Sequence, residues 1–229
     1  MGGVSRSKLA SFDLATGLLT SWSPSLTGTE ILAIAVDGSN VYVGGTFTQI
    51  GGSRATTSPP STPARPSPRR GTPRRGDREG DCDGRISDPG GRLFQRCGGS
   101  FASNIAALDL ATGAATAWDP NASGTMYQNG TVYGIDVGPG GIYACGTFTS
   151  IGGQARPGIA QLDPSTGLAT SFNPPLTGST HTPYTYVYVM KRDGNAVYLA
   201  GEFVGPHGYF AAVDATTGAM LPWIWTPSV

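Results

Sequence analysis

Short runs in which apolar and polar residues alternate follow one another along the chain, separated by turns rich in glycine. The first part of the chain has four such runs, at residues 8–13, 18–22, 31–36 and 40–48. Because successive side chains of a β-strand point to opposite faces of the sheet, alternation of this kind predicts half-buried strands. We therefore expect a fold made of many short strands joined by tight turns.

The runs belong to a repeat with a period of about 50 residues. One phrase of the repeat reads Asp-x-x-Thr-Gly and begins at Asp13, Asp109, Asp163 and Asp214, at spacings of 96, 54 and 51 residues. The first spacing is about twice the others, which indicates that one copy is missing. An aromatic residue follows each aspartate by nine positions: Trp22, Trp118, Phe172 and Trp223. A second phrase, of the type Val-Tyr-Val-Gly-Gly-x-Phe, begins at Val41, Ile142 and Val197.

Four strands in a repeat of this length are typical of one blade of a β-propeller. We predict an all-β fold, a partial β-propeller of four-stranded blades, with intact blades at residues 1–54, 98–153 and 154–208. Residues 209–229 are expected to begin a further, truncated blade. Because a propeller typically closes with about four to eight blades, we expect the chain to be a fragment that needs the blades of a larger parent chain to close the ring.

The Asp-x-x-Thr-Gly phrase has two interpretations. Its aspartate can accept hydrogen bonds from the backbone of its own turn, and its glycine can supply the positive φ that a short hairpin loop needs. Alternatively, the aspartate and threonine could bind calcium, but the phrase lacks the dense alternating oxygen donors of a calcium loop. Turn chemistry is the interpretation that the sequence favours.

Three equivalent positions in the second phrase, Gly44, Cys145 and Ala200, carry small residues. In a strand this predicts the close approach of another backbone, where neighbouring blades meet. Cys145 is accordingly predicted to be a small buried residue and not a nucleophile, since no histidine lies near it in its repeat. The aromatic residue that follows each Asp-x-x-Thr-Gly aspartate is predicted to anchor the core between blades.

Residues 55–97 interrupt the repeat and differ from it in composition. They hold 9 of the 15 basic residues and 7 of the 18 prolines. One interpretation is a disordered basic linker. The other is a frameshift that has scrambled one blade, because joining the third base of each codon to the first two of the next permits a peptide over residues 55–63 that resembles residues 104–109. Under the frameshift hypothesis, Cys82 and Cys97 form neither a disulfide nor a metal site.

The charge of the chain argues against two classes of partner. There are 15 basic and 15 acidic residues, and only 13% of the residues are charged. Zero net charge attracts neither nucleic acid nor an anionic membrane surface, so we expect neither as a partner. No apolar run is long enough to predict a membrane span, and the first residues lack the basic head and apolar run of a signal peptide.

The phrases Gly-Gly-x-x-Arg, Ile-Ala-x-Leu-Asp-x-x-Thr-Gly, Trp-x-Pro and Val-Tyr-Val-Gly-Gly-x-Phe-x-x-Ile-Gly-Gly together resemble an uncharacterised family of bacterial β-propeller repeats. Residues 41–52 and 105–120 carry much of the resemblance, which covers the whole chain except residues 55–97. Proteins of that family are usually large, and are secreted or displayed on the cell surface, often with adhesion modules. The resemblance implies a non-catalytic extracellular scaffold or binding module.

A weaker resemblance points to an enzyme. Residues 107–113 together with Trp118 are similar to the tryptophan-docking repeat of pyrroloquinoline-quinone dehydrogenases. The adjacent cysteine pair that those enzymes place against the cofactor is missing from the sequence, and no set of Asn, Glu and Asp suggests their calcium site. Because a shared fold does not transfer chemistry, we expect no enzyme activity, no cofactor and no metal site, and we keep the dehydrogenase as the alternative.

One stretch departs from the repeat. The third intact copy is lengthened around residues 178–193 and carries tyrosines at a spacing of two, which places their rings on one face of a strand. Such a face could stack on sugar rings or receive a protein partner. We therefore predict a site for a carbohydrate or protein ligand at Tyr184, Tyr186 and Tyr188, with His181 nearby. The alternative interpretation places the three rings in the core between blades, with their hydroxyls at its solvent-exposed edge.

Overall fold

The computed structural model describes residues 5–6, 8–50, 85–87, 93–95, 104–125, 129–178, 184–205 and 208–222. Within these residues the regular structure consists of β-strands and contains no helix. All of the strand pairs are antiparallel. The prediction of an all-β fold is confirmed.

The chain divides into two compact units, one formed by residues 1–53 and 101–229 and the other by residues 54–100. The described part of the first unit contains three three-stranded sheets. Sheet 1 consists of β1 (Leu26–Asp37), β2 (Asn40–Ile50) and β5 (Ile105–Asp109). Sheet 2 consists of β6 (Val132–Gly138), β7 (Gly141–Gly146) and β10 (Ile159–Leu162). Sheet 3 consists of β11 (Tyr186–Asp193), β12 (Ala196–Gly205) and β13 (Gly208–Asp214).

In the second unit the structure describes two strands, β3 (Arg85–Ser87) and β4 (Leu93–Gln95), which pair with each other. The rest of residues 55–97, with Cys82 and Cys97, lies outside the described residues. The linker and the frameshift therefore both stay predictions.

Each sheet runs through its three strands in sequence order, with the middle strand paired to both others. After the third strand, the Asp-x-x-Thr-Gly turn brings the chain back to a single residue bridged to that strand. These bridged residues are Ala115, Ala169 and Met220 in sheets 1, 2 and 3. The same turn occurs before sheet 1 in residues 8–22, here called the N-terminal hairpin, where Phe12 is bridged to Leu19.

The sheets are offset by two strands from the blade boundaries that the sequence predicts. Sheet 2, for example, takes β6 and β7 from residues 98–153 but its third strand from residues 154–208. The connection between them is a small hairpin formed by β8 (Ser150–Ile151) and β9 (Gln154–Ala155). The Gly-Gly-x-x-Arg phrase thus joins two strands of one sheet, whereas the sequence division placed it between blades.

Successive sheets pack face to face in chain order. On β7, Ile142 and Ala144 belong to one buried cluster with Tyr42 of sheet 1, while Tyr143 belongs to another with Val197 of sheet 3. The middle strand of sheet 2 is therefore buried on both faces, as expected for neighbouring side chains of a strand that point in opposite directions. We call the face toward the preceding element the front and the opposite face the back. A third cluster joins the front of sheet 1 to the N-terminal hairpin.

The aromatic residues that follow the Asp-x-x-Thr-Gly aspartates by nine positions lie in these interfaces. Each of the three described ones is buried. Trp22 lies between the N-terminal hairpin and sheet 1, Trp118 between sheets 1 and 2, and Phe172 between sheets 2 and 3. The indole N–H of Trp118 donates to the carbonyl oxygen of Asp163, at 2.9 Å. Their predicted role as anchors between sheets is confirmed, and Trp223 lies outside the described residues.

Two of the three small residues of the second phrase, Gly44 and Cys145, lie where sheets meet, whereas Ala200 is only half-buried. A Cβ atom built on Gly44 would lie 2.6 Å from Val132 Cγ1 of sheet 2, so a larger side chain would push the two sheets apart. Cys145 is fully buried in the interface with sheet 3, and burial raises the pKa of its thiol to about 12. The predictions of close approach at Gly44 and of a buried, unreactive cysteine are confirmed, because a thiol with this pKa forms almost no thiolate at neutral pH.

The Asp-x-x-Thr-Gly phrase forms a self-contained turn. In the third copy, Asp163 Oδ1 accepts hydrogen bonds from the Thr166 N–H at 2.7 Å and the Thr166 hydroxyl at 2.9 Å. Gly167 follows with φ of +74°, in the left-handed region. The equivalent bonds recur at Asp13, Asp109 and Asp214. The predicted turn chemistry is confirmed.

We expect these turns to make the stability of the fold depend on pH. The Thr166 N–H and hydroxyl lower the pKa of Asp163 from its usual value, and bonds from equivalent threonines lower the pKa of the other three aspartates. A carboxylate with a lowered pKa in the folded state contributes stability above the unfolded pKa of about 4 and loses it as the pH falls through the folded-state pKa. We expect the melting temperature of the unaltered chain to fall below about pH 4. The melting temperature of Asp163→Asn should fall less over the same pH range. Asp37→Asn, outside these turns, is the control. If thermal unfolding gives both variants the same slope of melting temperature against pH, the acid dependence does not come from the Asp163 turn.

Candidate functional site

The three tyrosines that the sequence singles out lie side by side at the start of β11. The ring centroids of Tyr184 and Tyr186 are 6.1 Å apart, and those of Tyr186 and Tyr188 are 6.2 Å apart with the ring planes inclined by only 23°. The structure thus brings all three rings together. Val187, between the last two, points the other way and is fully buried in the interface with sheet 2.

A fourth tyrosine from the neighbouring sheet joins them. Tyr133 on β6 has its ring centroid 5.7 Å from that of Tyr188. Both residues sit at register shifts of their strands, between Val132 and Gly134 on β6 and between Val187 and Val189 on β11. A β-bulge re-aims the side chain of the extra residue, and here two equivalent bulges on adjacent sheets direct two rings toward each other. We call Tyr133, Tyr184, Tyr186 and Tyr188 the tyrosine cluster.

One carboxylate belongs to the same surface. Glu202 lies opposite Tyr186 in the β11–β12 register, and its Oε1 accepts a hydrogen bond of 3.0 Å from the Tyr188 hydroxyl. Partial burial and this bond to a carboxylate raise the pKa of Tyr188 to about 12. The Tyr188 phenol therefore stays protonated and remains a donor at neutral pH. Burial also raises the pKa of Tyr186, with further contributions from Tyr184 and Glu202.

The cluster is partly exposed to solvent. Tyr188 is 42% exposed, and Tyr184 and Tyr186 are half-buried, whereas the core residues of the same sheet, such as Val197, are fully buried. The ligand site and the alternative interpretation of the stripe as inter-sheet core both stay predictions, because Tyr188 is partly exposed and also contacts Tyr133 of sheet 2. The cluster offers aromatic faces, phenolic hydroxyls and one acidic oxygen to solvent, which is a combination that suits a ligand with both apolar and hydroxyl groups.

His181 lies outside the described residues, so the prediction that it stands near the tyrosines stays a prediction. Tyr133 and Glu202 were missed by sequence reasoning. Tyr133 could have been found from the sequence, because Val132-Tyr133 in the preceding copy is the same pair of residues as Val187-Tyr188. The signal for Glu202 is that an acidic residue replaces the Thr46 and Thr147 of the equivalent phrases.

Within the described parts of the chain, no group of three or more His, Cys, Asp or Glu side chains could hold a metal ion. The same residues include no helix of the length and hydrophobicity needed to cross a membrane. No protein-family model, curated protein or solved structure matches the chain.

Proposed function

We propose that the chain is part of a β-propeller that serves as a non-catalytic scaffold or binding module outside the cell. The support for the propeller is the stacking of three sheets with the same strand order in chain order, through equivalent residues, as successive blades of a propeller stack. The proposed extracellular location rests on the family resemblance of the repeat phrases. In such a ring the first strand of each blade is nearest the central channel, so β6 and β11 would present the tyrosine cluster at the channel or its rim.

The tyrosine cluster is the binding site that we propose for this module. The observation that carries the proposal is that four partly exposed tyrosine rings from two sheets contact one another. They lie beside the carboxylate of Glu202, which accepts a hydrogen bond from the Tyr188 hydroxyl. Repeats determine a scaffold, and function is usually added where one copy departs from the others. Tyr184, Tyr186 and Glu202 are such departures. Flat aromatic faces flanked by hydroxyl and carboxylate oxygens favour a carbohydrate, whose ring presents C–H groups on its face and hydroxyls at its edge.

Replacing Tyr186 with alanine tests this site, because its ring lies between those of Tyr184 and Tyr188. We expect binding on a glycan array to weaken by about tenfold, since aromatic pairing contributes on the order of 1 kcal/mol beyond burial and neighbouring rings lose their packing. Tyr209→Ala, at an exposed tyrosine of β13 outside the cluster, is the matched control and should bind as the unaltered chain does. Tyr188→Phe, which keeps the ring and removes the hydroxyl, separates stacking from hydrogen bonding.

If Tyr186→Ala and Tyr209→Ala bind glycans equally well, the carbohydrate proposal fails. A protein ligand is the competing occupant of the site. It would be indicated if the chain binds a protein in a way that depends on Tyr186 and binds no glycan on the array.

The contact of Trp118 with Asp163 does not favour the quinone dehydrogenase, because an inter-sheet anchor is expected in both classes of protein. Adding pyrroloquinoline quinone, calcium and an alcohol or sugar should produce no reduction of an artificial electron acceptor.

A further inference from the structure

We propose that the N-terminal hairpin and the front of sheet 1 together form an acceptor surface for a two-stranded β-hairpin from a further copy of this repeat. The acceptor surface consists of the backbone edge at Ala10 and Phe12 and of the side chains of Ile34 and Val36. The inference rests on the proposed function, in that it treats the sheets as blades of one ring, and it names the segment that completes the first of them.

The backbone of the N-terminal hairpin is bonded on one side. Asp13 N–H donates to Leu18 O and Thr20 N–H donates to Ser11 O, each at 2.9 Å. Because peptide groups of a strand alternate in direction, those of Ala10 and Phe12 face the opposite edge. In sheet 1 the corresponding edge of β5 pairs with β2, in sheet 2 that of β10 pairs with β7, and in sheet 3 that of β13 pairs with β12. Among the described strands, none pairs with this edge of the N-terminal hairpin.

The apolar front of sheet 1 extends beyond what the N-terminal hairpin covers. Ile34 lies opposite Val43 and Val36 opposite Val41, so each pair shares one face. Val41 and Val43 are buried with Leu9 and Trp22 of the hairpin. Ile34 and Val36, one strand further, are each 55% exposed. The buried interface is therefore continuous with an uncovered apolar strip.

Sheet 2 shows what covers this strip when it is complete. Ile135 and Val137 on β6 are the equivalents of Ile34 and Val36, since they lie opposite Ala144 and Ile142. Both pack against the cluster that includes Tyr42 of β2. The ideal Cβ position of Gly44, also on β2, lies 3.1 Å from Ile135 Cδ1. β2 of the preceding sheet thus covers these positions, and β1 also lies against β6. These are the two strands that have no counterpart beside the N-terminal hairpin in the described chain.

Aromatic contacts define the partner further. The rings of Tyr42 and Trp118 pack in a T-shaped arrangement at a centroid distance of 5.0 Å, and those of Tyr143 and Phe172 do so at 5.4 Å. Trp22 holds the equivalent place in the N-terminal hairpin. The incoming hairpin should therefore carry a tyrosine that packs on Trp22, and a small residue two positions later that approaches Ile34. A second copy of the chain does not supply it, because each described hairpin with this pattern already belongs to a sheet.

The test adds the missing hairpin to the full chain. A copy of residues 131–147, with C145A, is joined to Met1 through a flexible Gly-Ser linker, which raises its effective concentration at the surface. We expect a higher melting temperature and amide exchange at Ala10 and Phe12 slowed by about tenfold or more, as for strand hydrogen bonds formed on docking. In the fusion, Ile34→Asp with Val36→Asp should abolish both effects, because docking would bury two carboxylates. Leu168→Asp, at an exposed leucine of a distant turn, should leave them unchanged.

A fusion with no protection at Ala10 and Phe12, or a gain in stability that survives Ile34→Asp with Val36→Asp, would overturn the inference. So would self-association of the unfused chain that is lost in the same double variant, because the occupant would then be a second copy. Glycan binding is measured on the same samples. Retained Tyr186-dependent binding in a fusion that fails to dock would leave the proposed function intact and refute the acceptor surface alone.

Discussion

Replacing Trp118 with alanine is expected to lower the free energy of unfolding by about 3–5 kcal/mol, the cost of truncating a buried aromatic side chain. Trp118 is only 5% exposed and lies in the cluster between sheets 1 and 2. Its ring packs against Tyr42, and its N–H donates to Asp163 O of sheet 2. The substitution would open a cavity between two sheets and leave the Asp163 carbonyl without this donor.

Trp118→Phe separates the two contributions, because it keeps an aromatic ring and removes the N–H. We expect a smaller loss, of which about 1 kcal/mol reflects the hydrogen bond. Leu168→Ala is the control at an exposed position and should change the free energy of unfolding little. Urea denaturation measures all three variants. A loss at Trp118→Ala no larger than that at Leu168→Ala would show that this residue does not anchor sheet 1 to sheet 2.

The local features of the fold are the ones that sequence reasoning predicts well. The Asp163 turn needs only an aspartate, a threonine three residues later and a glycine at positive φ, all within one short phrase. The burial of Cys145 follows from comparing equivalent positions of one strand. In both cases the interacting groups are close in sequence or are repeated, so the pattern itself carries the information.

The division of the chain into sheets could not be predicted in the same way, because a periodic sequence has no intrinsic starting point. The sequence indicates which strands are neighbours along the chain, but not where one sheet ends. In the structure the chain leaves sheet 1 after Ala115 and sheet 2 after Ala169, and the next described strand in each case belongs to the next sheet. The β8–β9 connection stays within sheet 2, although its glycines are typical of a boundary.

The candidate site was predictable in part for related reasons. The proximity of Tyr184, Tyr186 and Tyr188 follows from their spacing along β11, although a bulge at Tyr188 breaks the strict alternation that the prediction assumes. The approach of Tyr133 depends on how sheets 2 and 3 pack and on a second bulge in β6. Contacts between sheets do not appear in the periodicity of one strand, so the fourth ring could be found only with the structure.

The bulges also explain the second glycine of the Gly-Gly phrase. A Cβ atom built on Gly146 would lie 2.0 Å from the carbonyl oxygen of Thr131, and equivalent overlaps occur at Gly45 with Glu30 O, at 2.2 Å, and at Gly201 with Tyr186 O, at 2.0 Å. The register of each pair of strands shifts next to this glycine. The first strand therefore approaches the second at a point where only glycine leaves room for a backbone carbonyl.

Gly146→Ala is accordingly expected to destabilise the fold by at least about 3 kcal/mol, because the overlap is with backbone and cannot be relieved by rotating a side chain. Relief requires β6 to separate from β7, which would also displace Tyr133 from Tyr188. Gly194→Ala is the matched control: Gly194 has φ of +55° but no atom within 4 Å of its ideal Cβ position, so that only the conformational cost of about 1–2 kcal/mol applies. Chemical denaturation compares the two variants. Equal losses would show that the Thr131 carbonyl can move away at little cost and that the bulge does not require glycine.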